Sequence, residues 1–367
     1  MVRIHHGWLV AALALGLTAT ACKKDEKKSD TPGTVEKTAD KPADKAAEKP
    51  AGQTSAPNKV AVNPNADDLA LLPVDSEIVM GLNFSQLQTS ALWKKFVEPQ
   101  MMKAETQKKL AEFKDKCGFD PMSAVQSMSM GLKGIGADKP DGVVVIHGPD
   151  KSKVVACIDK MKDEAMKDGT TITTDGDVIN VKNKTGDNFA MTFVGDSTIL
   201  GVIGTNATAA GVKAAASGTS ALKTSPAFVD MYSKINTADS LWILMNGNSK
   251  AFDKAAALGF KPKAVFGSVN VTDGLTLDMR VRLDTPDQAV QISNMAKGQV
   301  QQFVKMVDKL EINPDAADVK INIAISTVKL EALIQQIMGM MGGMGGMGGG
   351  GMGGAGGPPG GGGMGNP

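Results

Sequence analysis

The chain has 367 residues, and its 40 basic and 39 acidic residues leave a formal charge of +1 with no long block of one sign in the middle region. That balance excludes the electrostatic footprint of a nucleic-acid binder and of steering toward a strongly charged ligand. Aromatic residues make up 4% of the chain, too few for a series of stacking platforms, so the core is expected from Val, Ile, Leu, Met and Ala, with Trp93, Trp242 and Tyr232 as the exceptions.

Arg3 supplies a positive start, and residues 8–17 form an apolar stretch of about ten residues, within the roughly 7 to 15 of a signal h-region and too short to span a bilayer. The following Leu17-Thr18-Ala19-Thr20-Ala21-Cys22 resembles the lipobox of bacterial lipoproteins, with Ala19 where that family more often has Leu. The resemblance implies that residues 1–21 are removed and that Cys22 becomes the acylated N-terminus of a cell-envelope protein. An ordinary signal peptide cut after Ala21 is the competing reading. Each buried methylene contributes about 0.8 kcal/mol, so two or three acyl chains on Cys22 anchor stably where one does not. Lys23, rather than Asp, after the cysteine is similar to the pattern that sends enterobacterial lipoproteins to the outer membrane, facing the periplasm or the cell surface. Residues 22–67 are rich in Lys, Asp, Glu, Ala, Pro, Thr and Ser. Such a segment cannot offset its ordering entropy by burial and is predicted to be a disordered tether.

From residue 68 the composition becomes that of a folded domain, and the pattern occurs twice, over residues 68–205 and 206–338. Each half opens with Asp-Ser before an apolar run ending in Asn: Asp75-Ser76 up to Asn83, and Asp239-Ser240 up to Asn246. Both runs read as buried strands. In each half a later strand feeds a capped helix. Residues 142–147 lead through Gly148-Pro149-Asp150 into a helix over 151–161, and residues 275–283 lead through Asp284-Thr285-Pro286-Asp287 into a helix reaching about residue 309. Leu275, Leu277, Met279, Val281 and Leu283 alternate with Thr276, Asp278, Arg280 and Arg282, which gives that strand one wet face. Ala289, Ile292, Ala296, Phe303, Val307 and Leu310 fall near one helical stripe for the dry face. Asp273-Gly274 and Gly195-Asp196 read as hairpin turns. The expected fold is α+β: two related halves of mainly antiparallel sheet covered by helices on one face, flanked by a disordered tether and tail.

The run Leu71-Leu72-Pro73-Val74-Asp75-Ser76-Glu77, the later Cys117-Gly118-Phe119-Asp120-Pro121 and the block over 142–157 together resemble a family of lipoproteins of myxobacteria and their relatives, to which no activity attaches. That family places one cysteine before a Phe-Asp-Pro turn and another in the helix after a Val-rich strand, here Cys117 and Cys157. In an oxidising compartment these two are expected to pair, and closing a loop of about 40 residues would add roughly 3 to 4 kcal/mol. Two buried thiols are the alternative, and a catalytic thiol lacks a partner histidine other than His147.

His5 and His6 leave with the signal peptide, so His147 is the one histidine of the mature chain. That removes zinc sites built on several imidazoles and any pair of histidines for acid–base work. His147 itself reads as a strand-end residue. Gly195-Asp196-Ser197 looks like the nucleophile block of a class of lipases and esterases, but those need a histidine toward the C-terminus, and none follows. Gly131-Leu132-Lys133-Gly134-Ile135-Gly136 lacks the Gly-Lys-Ser/Thr of a phosphate loop and reads as a loop between strands. Asp175-Gly176-Asp177 lacks the ligand spacing of a calcium loop and reads as a turn.

Leu330, Leu333, Ile334, Ile337 and Met338 recur at helical spacing before the sequence becomes Gly and Met, and residues 339–367 are predicted to be a disordered tail. Its Gly-Gly-Met composition resembles the tails of bacterial chaperonin subunits, a likeness that carries no function. The tail reads first as a solvated appendage. Met338, Met340, Met341, Met344 and Met347 are also candidate soft ligands for Cu(I), and flexible methionines suit apolar partners.

The sequence therefore leads to a non-enzymatic binding or scaffold protein of the envelope, held to the membrane by the lipid on Cys22. No catalytic residues, no cofactor and no nucleic-acid partner are expected. An envelope protein or a small apolar ligand is the partner class. A carrier of lipid or of small hydrophobic molecules is the alternative, and a carboxylate-pair hydrolase is the weaker one.

Overall fold

The computed structural model describes residues 66–135, 140–249, 252 and 260–344, with side chains over residues 68–336 of that set. The expected signal peptide, Cys22, the tether to residue 65 and Met347 with the rest of the tail lie outside the described residues.

Twelve strands form one sheet in which every neighbouring pair is antiparallel: β1 Ile78–Asn83, β2 Ser127–Lys133, β3 Asp141–His147, β4 Thr171–Asp175, β5 Val178–Lys182, β6 Asn188–Phe193, β7 Thr198–Ile203, β8 Leu241–Asn246, β9 Ala264–Asn270, β10 Gly274–Arg282, β11 Lys309–Asp315 and β12 Asp318–Ser326. The longer helices are α1 Phe84–Thr89, α2 Ala104–Cys117, α3 Lys151–Lys167, α4 Ala209–Ser217, α5 Pro226–Tyr232, α6 Pro286–Gln299 and α7 Thr327–Met344. The fold is α+β. Strand order is β11-β12-β10-β9-β8-β1-β2-β3-β7-β6-β5-β4.

The two apolar runs that open the halves, β1 and β8, pair with each other at the centre of the sheet, with Met80 opposite Ile243. Outward from that pair the order is β2, β3, β7, β6 on one side and β9, β10, β12, β11 on the other. Chain order matches as well, since α3 lies between β3 and β6, and α6 between β10 and β11. The halves are thus related by a pseudo-twofold axis through the Met80–Ile243 pair, and the β4–β5 hairpin is extra to the first half.

Because register partners share a face, one row can be followed across the sheet from Met191 through Gly201, Val144, Met130, Met80, Ile243, Gly267, Met279 and Ile321 to Ile312. On this Met80 face α3 packs Val154 against Val144 and Ile146, while α6 packs Ala289 beside Val319 and Ile312. The opposite, Trp242 face carries the main core: Val79, Val143, Val145, Leu200, Trp242, Leu244 and Phe266, covered by Val212 of α4 and Phe228 of α5. Val143 through Ile146 are all buried, so β3 is dry on both faces, as its unbroken apolar run requires. Although α4 follows residue 205, it packs on β5, β6 and β7 of the first half.

The hairpin turns stand where the sequence places them, with Gly195, Gly176 and Gly274 at positive φ. Two local expectations fail. Gly131, Leu132 and Lys133 belong to β2 rather than to a loop, because Gly131 pairs with Val79 and Val143 inside the sheet. The helix expected to reach residue 309 ends at Gln299 and tightens into a 3-10 turn, Val300–Met306. Phe303 is consequently exposed, and Leu310 lies on β11. The stretch from Leu310 to Asn313 alternates apolar and polar, and pairing with β12 satisfies a backbone that a longer helix would leave without a strand partner. At the other end, α7 continues past Met338 to Met344, consistent with the good helix propensity of methionine.

At the centre, Gly81 faces the Trp242 indole so closely that an added Cβ would lie 2.1 Å from Nε1. Replacement Gly81→Ala is expected to displace the indole and to cost about 2–3 kcal/mol of stability by overpacking, read from urea unfolding followed by tryptophan fluorescence. An unchanged midpoint would show that the ring is free to move.

The start of α7 is fixed by Asp308, which accepts from the Ser326 amide and from Lys329 Nζ. Lys329 first, then Ser326, hold its carboxyl down at about 2. A depressed folded value stabilises above the unfolded carboxylate range near 3.9 and loses that effect as pH falls through about 2. Asp308→Asn should therefore lower the melting temperature at pH 7, and the difference from the parent chain should vanish below about pH 2. A constant difference across that range would remove the carboxylate from the account.

Candidate functional site

The centre of the Met80 face is apolar and incompletely covered. Met80 on β1, Met128 and Met130 on β2, Ile243 and Met245 on β8, and Leu277 and Met279 on β10 are all half-buried. On the reverse side of the same strands, Val79, Trp242, Leu244 and Phe266 are buried. The difference follows from the helices, since α3 and α6 lie over the outer strands of the two halves, with Met128 and Met130 of β2 packed at the edge of the α3 cluster. Gly267 widens this floor: Met279 lays its sulfur over the glycine, 2.6 Å from where a Cβ would stand. Unbranched thioethers fill irregular space and adapt to varied apolar partners. α7 packs along β10 and β12 beside this region.

His147 does not stand free at its strand end. Its Nε2 lies 2.8 Å from Asp68 Oδ1 and its Nδ1 3.1 Å from Thr198 Oγ1. Asp68 is 1% exposed, and its Oδ2 has no hydrogen-bond partner among the described residues. An acid, an imidazole and a hydroxyl in line have the form of a nucleophile relay. The other half argues for a different role. By the pseudo-twofold, His147 of β3 corresponds to Arg282 of β10, and Thr198 of β7 to Asp318 of β12. Arg282 donates from Nε and Nη2 to Asp318 at 2.7 and 2.9 Å, and from Nη1 to Asp230 at 2.8 Å. Asp68 belongs to the 3-10 turn Ala66–Ala70 ahead of β1, and Asp230 to α5 ahead of β8. In each half, then, the last residue of the third strand pins to the Trp242 face the segment that leads into that half. Neither set was legible from sequence spacing, as the partners stand 79 and 52 residues apart.

No protein-family model, curated protein or solved structure matches the chain.

The remaining sequence candidates separate in space. Cys117 at the end of α2 and Cys157 in α3 are joined by a disulfide, walled by Phe113, Phe119 and Met161. The bond ties α2 to the helix that covers the first half. Gly195-Asp196-Ser197 forms the β6–β7 turn, where the Ser197 carbonyl accepts from the Gly148 amide and the Asp196 carbonyl from the Lys151 amide. Met338, Met340, Met341 and Met344 lie on α7 beyond its described side chains, and Met347 lies outside the described residues. Among the described residues there is no group of three or more His, Cys, Asp or Glu placed to hold a metal.

Five exposed carboxylates are shifted toward their charged form: Arg282 lowers Asp230, Arg280 lowers Asp315, and hydrogen bonds lower Glu105, Asp150 and Asp308. A cavity of about 240 Å³ lies between β2, β3, β7 and α4, lined by Leu71, Val143, Val202 and Ala215 with Lys133 and Asp141 among its polar groups. Both are already engaged, Lys133 with Asp75 and Asp141 with the Thr205 amide and hydroxyl.

The pin account separates the two halves energetically. Asp68→Ala leaves the imidazole facing a buried gap and should destabilise by about 2–3 kcal/mol, toward the lower side of what loss of a buried partner costs. Asp230 is half exposed, so Asp230→Ala should cost under about 1 kcal/mol. Equal, small losses in urea titrations of the two variants would contradict it.

Proposed function

We propose that the chain is a lipid-anchored cell-envelope protein whose domain is a binding module for an apolar ligand, held against the methionine-lined centre of the Met80 face. The half-buried state of Met80, Met130, Ile243 and Met279 carries the reading, because an apolar surface of this kind at the middle of a sheet marks a ligand or partner site. The anchor rests on the residues around Cys22. The relation of His147 to Arg282 supports a structural role for the one histidine of the domain.

Binding of this kind needs no fixed polar geometry, and thioethers accommodate chains of different shape. A native mass spectrum of the protein from the envelope should therefore show an apolar adduct. A fluorescent fatty acid should bind, and Ile243→Asn should weaken it at least tenfold, while Val290→Asn on the exposed side of α6 leaves it unchanged. A clean polypeptide mass together with no fatty-acid binding would overturn the ligand reading. Metabolic labelling with palmitate tests the anchor separately, with loss of label expected for Cys22→Ala.

A further inference from the structure

Four large apolar side chains stand exposed at one place: Phe303 (48%), Val304 (44%) and Met306 (39%) on the 3-10 turn Val300–Met306, and Val328 (77%) on the first turn of α7. The two segments are tied together, because Asp308 accepts from the Ser326 amide, and Lys329 Nζ reaches both Asp308 and the Val307 carbonyl. Residues 301–306 are all exposed. Lys297 and Lys305 are the only charged residues between Asp287 and Asp308.

The first half supplies an internal comparison. α3 holds the place equivalent to α6, yet its exposed side carries Lys153, Asp159, Lys160 and Asp163, the ordinary dress of a solvated helix. The exposed side of α6 carries uncharged Gln288, Gln291 and Asn294 beside Val290 and Met295, with Lys297 as its one charge past the first turn.

Position matters as much as composition. Register partners connect His147 through Ser127 to Asn83, and Asn270 through Thr276 and Ala324 to Lys309, with the Asn83 amide bonded to the Ser240 carbonyl between the two series. His147 and the 300–309 segment therefore lie at the same end of the strands. Asp68, near the start of the described chain, is bound to His147, seven strand spacings, or ~34 Å along the sheet, from Lys309.

We infer that this end of the sheet is a second membrane contact, in which Phe303, Val304, Met306 and Val328 enter the headgroup boundary of an anionic bilayer and Lys297 and Lys305 meet lipid phosphates. The inference rests on the reading of Cys22 as a lipid anchor, which keeps the domain beside a membrane. Area favours a bilayer over a second copy: the four side chains expose on the order of 350 Å², under half of the ~800 Å² per partner of a stable dimer. A shallow apolar patch with neighbouring lysines is the composition of interfacial contacts.

The test uses the processed chain, residues 22–367 with Cys22→Ala, so that neither the apolar segment 8–17 nor an acyl group contributes and the result is independent of whether the native chain is acylated. It should co-sediment with vesicles of phosphatidylglycerol and phosphatidylethanolamine, and more weakly with pure phosphatidylcholine. Phe303→Ser with Met306→Ser should reduce binding at least fivefold at an unchanged melting temperature, and Lys153→Ser with Lys160→Ser on α3 should not. Absence of co-sedimentation, or equal binding by the Phe303/Met306 variant, overturns the contact. A dimer in light scattering that the same variant dissolves would assign the patch to self-association and overturn it as well.

Discussion

The pairing of β1 with β8 is the constraint from which the architecture follows. Each half alone would end in an open strand edge with unpaired amides and carbonyls, at the place where its opening apolar run lies. Joining the two runs antiparallel, with Met80 opposite Ile243, closes both edges at once and makes one sheet of twelve strands. The joint works because Gly81 has no side chain. Trp242 lies over it, stacked edge-on by Tyr232 at 5.2 Å, and so one large ring fills the seam between halves. The indole Nε1 has no hydrogen-bond partner among the described residues.

The two halves share a geometry but differ in the chemistry that fills it. The pin on the Trp242 face is His147 with Thr198 and Asp68 in one half, and Arg282 with Asp318 and Asp230 in the other. Arg282 also lies over the Phe266 ring at 5.2 Å, and Asp318 raises its guanidinium further above the usual arginine range. A planar fork suits two carboxylates at once, whereas the imidazole bridges one carboxylate and one hydroxyl. Retention of the position through both chemistries is what a structural pin predicts. A catalytic relay would have no reason to recur at the far end of the sheet with an arginine in place of its base.

Much of this fold was legible before the coordinates. The paired openings ending at Asn83 and Asn246, the capped start of α6 at Thr285 and Pro286, and the hairpins at Gly195 and Gly274 are local signals, each fixed by residues within a few positions. The alternation along β10 also announced its wet face correctly, although Asp315, Asp318 and Lys320 turn that wet face into an ion-pair network. Illegible were the features decided across the chain. That β1 and β8 lie side by side, that Gly81 receives an indole, and that Asp68 reaches His147 depend on contacts between residues about 80 to 160 positions apart. The misreading of 300–313 has a local cause. Val307 and Leu310 satisfy a helical period and Leu310 and Ile312 a strand period, and only the presence of β12 as a partner decides between them.

The two faces leave different kinds of surface behind. Covering the Trp242 face consumed α4, α5 and the turn Ala66–Ala70, and a cleft remains beside Leu71, Val202 and Ala215. On the Met80 face α3 and α6 follow the third strand of each half outward, because each must cross over to a strand lying beyond the one next in the sheet. Symmetry then places both helices away from the axis, and the middle strands are left to methionine and leucine. The half-buried centre of this face is therefore a consequence of the duplicated topology.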